Sequence, residues 1–320
     1  MFNVPPPELQ VDFALLMKQI RDSLLQDALN KTVRKLTIPD LDRELANYVP
    51  AECLSVLAGQ GLRAELLFPV PIVLRANPRL LGYYRLLYGY SQKEFYTAKT
   101  GAGPFKSMEE RGIVTSRNES GIDALCAALC QSGQALLGGI GDLKLSARTF
   151  DELTLLTLGP QLRGSANVKR GTAGIRVVFN IIQKIVASAV SGMTDTRIEV
   201  SNAAGRKVII AFAADPDIII QIQMSSEYRK LIAIEVKAGL DFSNIHNRLG
   251  EAEKSHQKAR RAGYVECWTV VNVEPFNWEM ARHESPSTNR FYRISDLLNA
   301  ESTEYQDFRD RIISLTGIAG

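Results

Sequence analysis

Residues 215–237 read Asp-Pro-Asp-Ile-Ile-Ile-Gln-Ile-Gln-Met-Ser-Ser-Glu-Tyr-Arg-Lys-Leu-Ile-Ala-Ile-Glu-Val-Lys. Residues 217–224 are dense in isoleucine and predict a largely buried strand. Residues 231–237 predict a second strand of the same kind, and the polar residues 225–230 predict the turn between them. The stretch therefore predicts two neighbouring strands that belong to the core of a sheet.

Three charged side chains, Asp217, Glu235 and Lys237, lie at the ends of these two runs. Alternate residues of a strand share a face, so Glu235 and Lys237 point the same way, about 7 Å apart at ~3.3 Å per residue. If the two strands pair, Asp217 approaches this face. The pattern then predicts a small acidic pocket that contains one lysine.

These residue types suit metal-assisted cleavage of a phosphodiester. Mg²⁺ prefers one or two carboxylates with water and phosphate oxygens, so Asp217 and Glu235 are candidate ligands, together with the backbone carbonyl of Val236. Lys237 would orient or help to deprotonate the attacking water and offset the charge that grows on the phosphorus centre. The alternative is a surface turn followed by a solvated Glu-x-Lys pair. Charges that end buried apolar strands need a partner or a metal, and on the residues alone both readings stay open.

Further predicted elements flank this stretch. They are, in chain order, a helix over Gly171–Val190, a hairpin of strands Thr196–Ser201 and Lys207–Ala213, the two strands above, a helix over residues 245–262, and strands over Cys267–Val273 and Phe291–Ile294. The order is helix, hairpin, two strands with the candidate site, helix and strand.

This order and these residues resemble the PD-(D/E)xK nuclease superfamily, and particularly its type II restriction endonucleases. The matching elements are Pro216-Asp217, Glu235-Val236-Lys237 and the helix at residues 247–259. The superfamily resemblance covers about residues 170–294, and its motif is short. With the N-terminal stretch Val-Pro-Pro-Pro-Glu-Leu-Gln-Val-Asp-Phe-Ala-Leu at residues 4–15, the whole chain resembles the XcyI group.

The resemblance implies an α/β fold and an activity. It implies a restriction-endonuclease-like core, a mixed central β-sheet flanked by helices, at residues 161–320, and a mainly helical N-terminal region at residues 1–160 for clamping DNA or for dimerisation. The implied activity is that of a type II restriction endonuclease: Mg²⁺-dependent, sequence-specific hydrolysis of double-stranded DNA by a homodimer at a palindromic site, leaving 5′-phosphate ends. For the XcyI group the site is CCCGGG, which the residues themselves do not reveal.

The chain departs from the superfamily pattern at one point. Many of these enzymes carry a further acidic residue on the helix before the hairpin, whereas Gly171–Val190 contains no Asp or Glu. The candidates to replace it are Asp215, Glu199 and Asp195. One firmly held Mg²⁺ is therefore expected. The helix after the site also offers candidates for supporting the ligands or the lysine, although a surface role explains them equally well: Glu251, Glu253 and Gln257.

The net charge is +3, from 38 basic and 35 acidic residues, and does not by itself predict DNA binding. A sequence-specific nuclease needs positive potential only along its cleft. The candidate phosphate contacts are Lys169, Arg170, Arg248, Lys254 and Lys258, the last two of which a solvated helix face explains equally well. Because guanine is usually read by Arg or Lys, the candidate base-reading side chains are Arg197, Arg206, Lys207, Arg248 and Arg290.

Two segments of the N-terminal half bear on function. The tyrosines between residues 83 and 90 are expected to pack a helix against the core and not to stack on bases. Lys99–Asn118 is polar and rich in glycine, and it predicts a mobile loop that could close over DNA.

Cys126 and Cys130 are expected to be buried apolar residues and not metal ligands.

Composition favours an intracellular protein, cytoplasmic and, by resemblance, prokaryotic. Apolar residues make up 45% of the chain, and no run of about 20 apolar residues predicts a membrane span. The start of the chain lacks the basic and apolar regions of a signal peptide, and four scattered cysteines are unlike a disulfide framework.

Two rival functions stay open from the sequence. A repair or recombination nuclease of the same fold would keep Asp217, Glu235 and Lys237 but prefer branched or damaged DNA. A DNA-binding protein without catalysis could keep the fold. Such a protein has no physical need for the complete set of three residues, which favours the enzyme.

Overall fold

The structure is a computed structural model in which residues 6–141, 143–239, 245–274 and 276–318 are described. It consists of two compact units that divide between Gly164 and Ser165. Residues 4 and 5 of the N-terminal stretch quoted above lie outside the described residues. None of the helices in the described part of the chain is long and apolar enough to cross a membrane.

The first unit is built from helices, as expected. They are α1 (Glu8–Ser23), α2 (Gln26–Val33), α3 (Ile38–Tyr48), α4 (Ala51–Gly59), α5 (Pro71–Ala76), α6 (Leu81–Leu87), α7 (Gln92–Phe95), α8 (Lys106–Arg111), α9 (Ser116–Glu119), α10 (Ile122–Ile140) and the start of α11 (Ala147–Ile185). Tyr83 and Tyr84 of α6 are fully buried and donate hydrogen bonds to the carbonyls of Leu66 and Glu65, both at 2.7 Å. The expectation of core packing is therefore confirmed for Tyr83 and Tyr84, whereas Tyr90, the last tyrosine of the run, is 40% exposed.

The expectation of a mobile loop over Lys99–Asn118 is wrong. The segment contains α8 and α9, and Glu109 of α8 is buried. Its carboxylate accepts hydrogen bonds from Arg85 at 2.8 Å to each oxygen and from Tyr96 at 2.6 Å. Pairing and hydrogen bonding of this kind offset the cost of burying a charge, and such a pairing leaves no apolar pattern in the sequence.

The second unit is a mixed sheet of seven strands with helices packed on it. The strands are β1 (Val190–Thr194), β2 (Arg197–Ser201), β3 (Lys207–Phe212), β4 (Ile218–Gln223), β5 (Tyr228–Lys237), β6 (Glu266–Val271) and β7 (Arg290–Arg293), and the helices after α11 are α12 (Ile245–Arg261), α13 (Trp278–Glu284), α14 (Ile294–Leu298) and α15 (Thr303–Thr316). The strands lie side by side in chain order, antiparallel from β1 to β5 and parallel from β5 to β7. The predicted mixed sheet flanked by helices is confirmed.

The predicted helix over Gly171–Val190 has the wrong bounds. Helix α11 begins at Ala147, continues through Pro160 and ends at Ile185, and Val190 opens β1. Strand β1 was not predicted from the sequence. It is an edge strand whose residues are mostly exposed, so it lacks the alternating apolar pattern of a core strand.

Strand β5 is largely buried between its neighbouring strands and α11. Six consecutive residues of β5, Leu231–Val236, are buried. Ile232 and Ile234 belong to a cluster that includes Val178 and Ile182 of α11. Helix α11 comes close to the end of β5, because a Cβ added at Gly174 would lie 2.0 Å from the Cβ of Ala238. The carboxyl end of β5 is thereby fixed between α11 and the rest of the sheet.

Candidate active site

The first contact of the candidate site joins Asp217 to Val236. Strands β4 and β5 pair with Ile218 opposite Ile234, which places Asp217 beside the carboxyl end of β5. The backbone N–H of Val236 donates a hydrogen bond to Asp217 Oδ2 at 2.8 Å. The expected pairing of the two strands therefore occurs, and it brings the aspartate to the Glu-Val-Lys segment.

Glu235 and Lys237 lie on one face of β5, as their spacing predicted. Lys237 Nζ is 2.9 Å from Glu235 Oε1 and 3.3 Å from Glu251 Oε2 of α12. Glu235 is only 8% exposed, whereas Glu251 is exposed. The lysine thus bridges a buried carboxylate of the sheet and an exposed one of the helix.

A second set of contacts holds Glu235 from the side of α12. Ser255 Oγ is 2.8 Å from Glu235 Oε2 and also contacts Asp215 Oδ1. Lys258 Nζ is 2.6 Å from Asp215 Oδ2. Because a hydroxyl has a single proton, Ser255 donates to one carboxylate at a time, and Lys258 supplies a further donor to Asp215.

The electrostatic environment shifts three pKa values. Burial, and then the neighbouring Glu235 carboxylate, raise the pKa of Asp217 to about 6. Lys258 and Ser255 lower the pKa of Asp215. Burial acts to lower the pKa of Lys237, but the carboxylates of Glu235 and Glu251 outweigh it and leave that pKa raised. The lysine is therefore held as a cation, and Asp217 carries negative charge at a cost that a bound cation would relieve.

Several of these residues line one cavity of about 320 Å³. Its walls are Asp217, Val236, Lys237, Ala238 and Gly239 from the sheet side, Arg248 and Glu251 from α12, and Asn167, Val168, Gly171, Thr172 and Ile175 from α11. A larger cavity of about 430 Å³ lies beside β7 and contains no carboxylate among its lining residues, which are Trp278, Arg282, Pro286, Thr288, Asn289, Arg290 and Phe291. Of these two cavities, the first is the one that combines carboxylates with a lysine.

The donor set fits a hard cation with few protein ligands. Within the described ranges no group of three or more His, Cys, Asp or Glu side chains is arranged to hold a metal. Two carboxylates and a backbone carbonyl nevertheless suffice for Mg²⁺, which keeps several waters and takes further oxygens from phosphate. Asp217 and Glu235, with the carbonyl of Val236, are the residues that could hold it.

The other acidic candidates divide between those near the site and those away from it. Asp215 and Glu251 contact it, as described above. Glu199 lies on β2, three strands from β5 or about 14 Å at ~4.8 Å per strand, and pairs with Arg197 and Lys207. Glu253 accepts hydrogen bonds from the side chains of Ser285 and Ser287. The structure does not bring Glu199 or Glu253 to the pocket.

The candidate DNA-contacting residues also differ in where they lie and in what they contact. Arg248 lines the cavity, and Lys258 binds Asp215. Arg170 lines a neighbouring cavity of about 250 Å³ that also borders Ala238. Lys169 and Lys254 are exposed. Among the base-reading candidates, Arg197 and Lys207 are paired with Glu199, Arg206 contacts the sulfur of Met224, and Arg290 is exposed.

Ser255 is the polar neighbour of the site that sequence analysis missed. It lies within the helix at residues 247–259 that carried part of the resemblance, but a single serine on a helix has no spacing that indicates a partner. His256, next to it, is buried, and burial lowers its pKa to about 4. Its Nε2 lies 2.8 Å from Thr269 Oγ1, so the neutral ring has a structural partner.

The mixed sheet, its flanking helices and the helical N-terminal unit together define a protein with a restriction-endonuclease-like fold. The chain belongs to the XcyI restriction endonuclease family, whose model matches residues 15–319. It is 56% identical over 319 residues to the type II restriction enzyme XcyI of Xanthomonas campestris pv. cyanopsidis, covering 99% of this chain and 96% of the relative. It is 57% identical over 318 residues to the type II restriction enzyme Cfr9I of Citrobacter freundii, covering 98% of this chain and 96% of the relative.

Proposed function

We propose that this protein is a type II restriction endonuclease that hydrolyses double-stranded DNA at a specific site with Mg²⁺. Family membership over nearly the whole chain supports the enzyme class. The observation that carries the assignment of the catalytic residues is the meeting of Asp217, Glu235 and Lys237 at the end of β5. We assign these three residues to a PD-(D/E)xK site.

Each residue has a role that its contacts support. Asp217 and Glu235, with the backbone carbonyl of Val236, would hold Mg²⁺. The ion, when bound, polarises the phosphodiester and lowers the pKa of a bound water. Lys237 is held as a cation by Glu235 and Glu251, so it orients the attacking water and offsets charge that develops on the phosphoryl oxygens, in preference to acting as a base.

Glu235 needs a fixed position for this role, and the contacts of α12 supply it. Ser255 donates to Glu235 or to Asp215, and Lys258 binds Asp215 from the other side. A ligand whose orientation is set by hydrogen bonds loses little freedom when the metal binds. We therefore assign Ser255, Asp215 and Lys258 to positioning.

The products and the assembly follow from the same proposal. Attack of water on phosphorus with loss of the 3′-oxygen leaves a 5′-phosphate. A palindromic site is matched by a two-fold homodimer that presents one catalytic site to each strand. The resemblance to the XcyI group makes CCCGGG the sequence to test first. Phosphate contacts from Lys169, Arg170, Arg248, Lys254 and Lys258, and a role of residues 1–160 in clamping DNA or in dimerisation, belong to the proposal as well.

The test is cleavage of a long duplex of known sequence, with Mg²⁺ or with a chelator, by the wild type and by Lys237→Ala. Lys184→Ala, which changes an exposed lysine of α11, is the matched control. We expect discrete Mg²⁺-dependent fragments from the wild type and the control and none from Lys237→Ala. Sequencing of the ends then gives the site.

Other outcomes would favour the rivals. Binding of the duplex by folded protein without cutting under any divalent ion indicates a DNA-binding protein without catalysis. Preferential cutting of branched or damaged DNA indicates a repair or recombination nuclease. Cutting that Lys237→Ala retains would contradict the assignment of the lysine.

A further inference from the structure

An arginine with an unmet hydrogen-bonding group lies in the cavity of the candidate site. Arg248 is in the first turn of α12 and lines the cavity together with Asp217, Val236 and Lys237. Its Nη1 is buried and has no hydrogen-bond partner among the described residues. A buried donor without a partner carries the full cost of its desolvation, and that cost is larger for a charged group. The free protein therefore keeps this group where it is unfavourable.

The position of the guanidinium depends on a glycine. A Cβ added at Gly239 would lie 1.9 Å from Arg248 Nη1 and 2.2 Å from its Cζ, so the guanidinium occupies the space that a side chain at residue 239 would fill. The backbone of Gly239 also lines the cavity. The absence of a side chain at residue 239 thus leaves room for the guanidinium near the end of β5, close to the residues of the candidate site.

The two cations that line the cavity differ in their hydrogen-bond partners. Lys237 already binds Glu235 and Glu251. Arg248 is the cation of the cavity with an open donor. A guanidinium presents its N–H groups in a planar fork that matches the oxygens of a phosphate. The ligand that satisfies this donor is therefore expected to be an anion with two or more oxygens on one centre.

We propose that Arg248 is a catalytic residue that donates a hydrogen bond to a non-bridging oxygen of the reacting phosphate. This inference rests on the proposed function, which brings that phosphate into the cavity. The water oxygen bonds to phosphorus and gives up a proton to solvent, while the 3′-oxygen leaves with the bonding electrons and takes up a proton from solvent. Negative charge grows on the non-bridging oxygens during this exchange. Arg248 stabilises this charge without transferring a proton, because a guanidinium stays protonated in proteins.

The experiment compares single-turnover cleavage at saturating enzyme with DNA affinity measured in Ca²⁺. We expect Arg248→Ala to lower the cleavage rate about 100-fold to 1,000-fold and to weaken DNA binding by less than about tenfold. Guanidinium ion at low millimolar concentration should restore part of the lost rate. Arg229→Ala, which changes an exposed arginine at the opposite end of β5, is the matched control and should cut as the wild type does.

A second variant tests the same role without removing the arginine. Gly239→Ala places a methyl group where the guanidinium lies, so it should also lower the cleavage rate and resist rescue by guanidinium ion. The thermal midpoint separates this role from a structural one. Arg248→Met should unfold at the same temperature as the wild type or at a higher one, because it removes an unpaired buried donor.

The outcomes distinguish this inference from the proposed function. If the wild type cuts and Arg248→Ala cuts within about threefold of it, Arg248 is not catalytic. If Arg248→Ala loses affinity but keeps the single-turnover rate at saturation, the arginine contacts another phosphate or a base and the inference is wrong. If Arg248→Met lowers the thermal midpoint and guanidinium ion gives no rescue, the role is structural. If the wild type itself does not cut, the proposed function fails and this inference with it.

Discussion

The raised pKa of Asp217 means that the ionised carboxylate, which metal binding needs, destabilises the metal-free protein. Its value is about 6 in the folded protein against 3.8 for an ordinary aspartate, so the folded state binds more protons between these pH values. The favourable contribution of Asp217 to the free energy of unfolding is present in full below pH 3.8 and is lost as the pH rises through about 6. Above that range the ionised carboxylate destabilises the metal-free protein. At about 1.4 kcal/mol per pKa unit, discounted for partial burial, the effect is about 1–2 kcal/mol.

Asp217→Asn should therefore raise the free energy of unfolding of the metal-free protein by about 1–2 kcal/mol at pH 8, and the gain should vanish near pH 4. The same variant should lose Mg²⁺-dependent cleavage. Urea unfolding at several pH values measures the first effect. Asp215→Asn is the control with the opposite sign, because Lys258 and Ser255 lower the pKa of Asp215. A loss of stability in Asp217→Asn at pH 8 would contradict the argument.

Ser255→Ala should raise the Mg²⁺ concentration needed for half-maximal cleavage by about tenfold, because loss of a residue that orients a metal ligand typically costs 10–100-fold. The substitution leaves Glu235 Oε2 without the hydroxyl that holds it. Cleavage rates over a Mg²⁺ titration measure the shift. Ser287→Ala is the control, because its hydroxyl binds Glu253, away from the pocket. An unchanged requirement in Ser255→Ala would remove it from the positioning set.

Part of the site could be predicted from the sequence because its residues are close along the chain. Asp217, Glu235 and Lys237 lie on neighbouring strands, and strand periodicity places two of them on one face. The contact of Ser255 with Glu235 depends on how α12 packs on β5, which no local pattern encodes. Glu199 was a candidate by residue type alone, and the structure leaves it with Arg197 and Lys207.

At the scale of elements, the approach of α11 to the sheet depends on one glycine. A Cβ at Gly174 would meet the Cβ of Ala238 at 2.0 Å, whereas a Cβ at Gly171, one turn earlier, would meet nothing within 4 Å. The same substitution at the two positions should therefore have opposite effects. The helix gains propensity in both cases, but only the first forces it away from β5.

Gly174→Ala should lower the free energy of unfolding by about 1–3 kcal/mol, and Gly171→Ala should raise it by up to about 1 kcal/mol. Chemical denaturation of both variants measures the difference. Equal effects at the two positions would show that the helix does not press on the sheet at Gly174.

The helices and strands were predicted correctly where burial produces an apolar pattern in the sequence. The strands from β2 to β6 carry isoleucine or valine runs, and the hairpin of β2 and β3 was found within one residue at each end. The bounds of α11 were missed at both ends. Pro160 lies inside this helix although proline usually breaks one, and β1 follows it without apolar alternation.

At the scale of the whole molecule, the proposed homodimer makes a prediction about mixed assemblies. A dimer that contains one wild-type chain and one Lys237→Ala chain should cut only one strand of a single-site supercoiled plasmid. Co-expression of two differently tagged chains, with purification through both tags, provides this species. We expect nicked circles from the mixed dimer and linear DNA from the wild-type dimer. Linear DNA from the mixed species at half the rate would mean that one chain cuts both strands.

The seven strands lie in the sheet in the same order as along the chain. Each strand after β1 therefore finds a partner already synthesised, and most pairings close only a short loop, which keeps the entropic barrier to folding low for a sheet of this size. During synthesis from the N-terminus, β4 and β5 can pair before α12 leaves the ribosome. A nascent chain would thus join Asp217 to Val236 while Ser255 and Lys258 are still missing, and the pocket becomes complete only when the helix arrives and docks on β5.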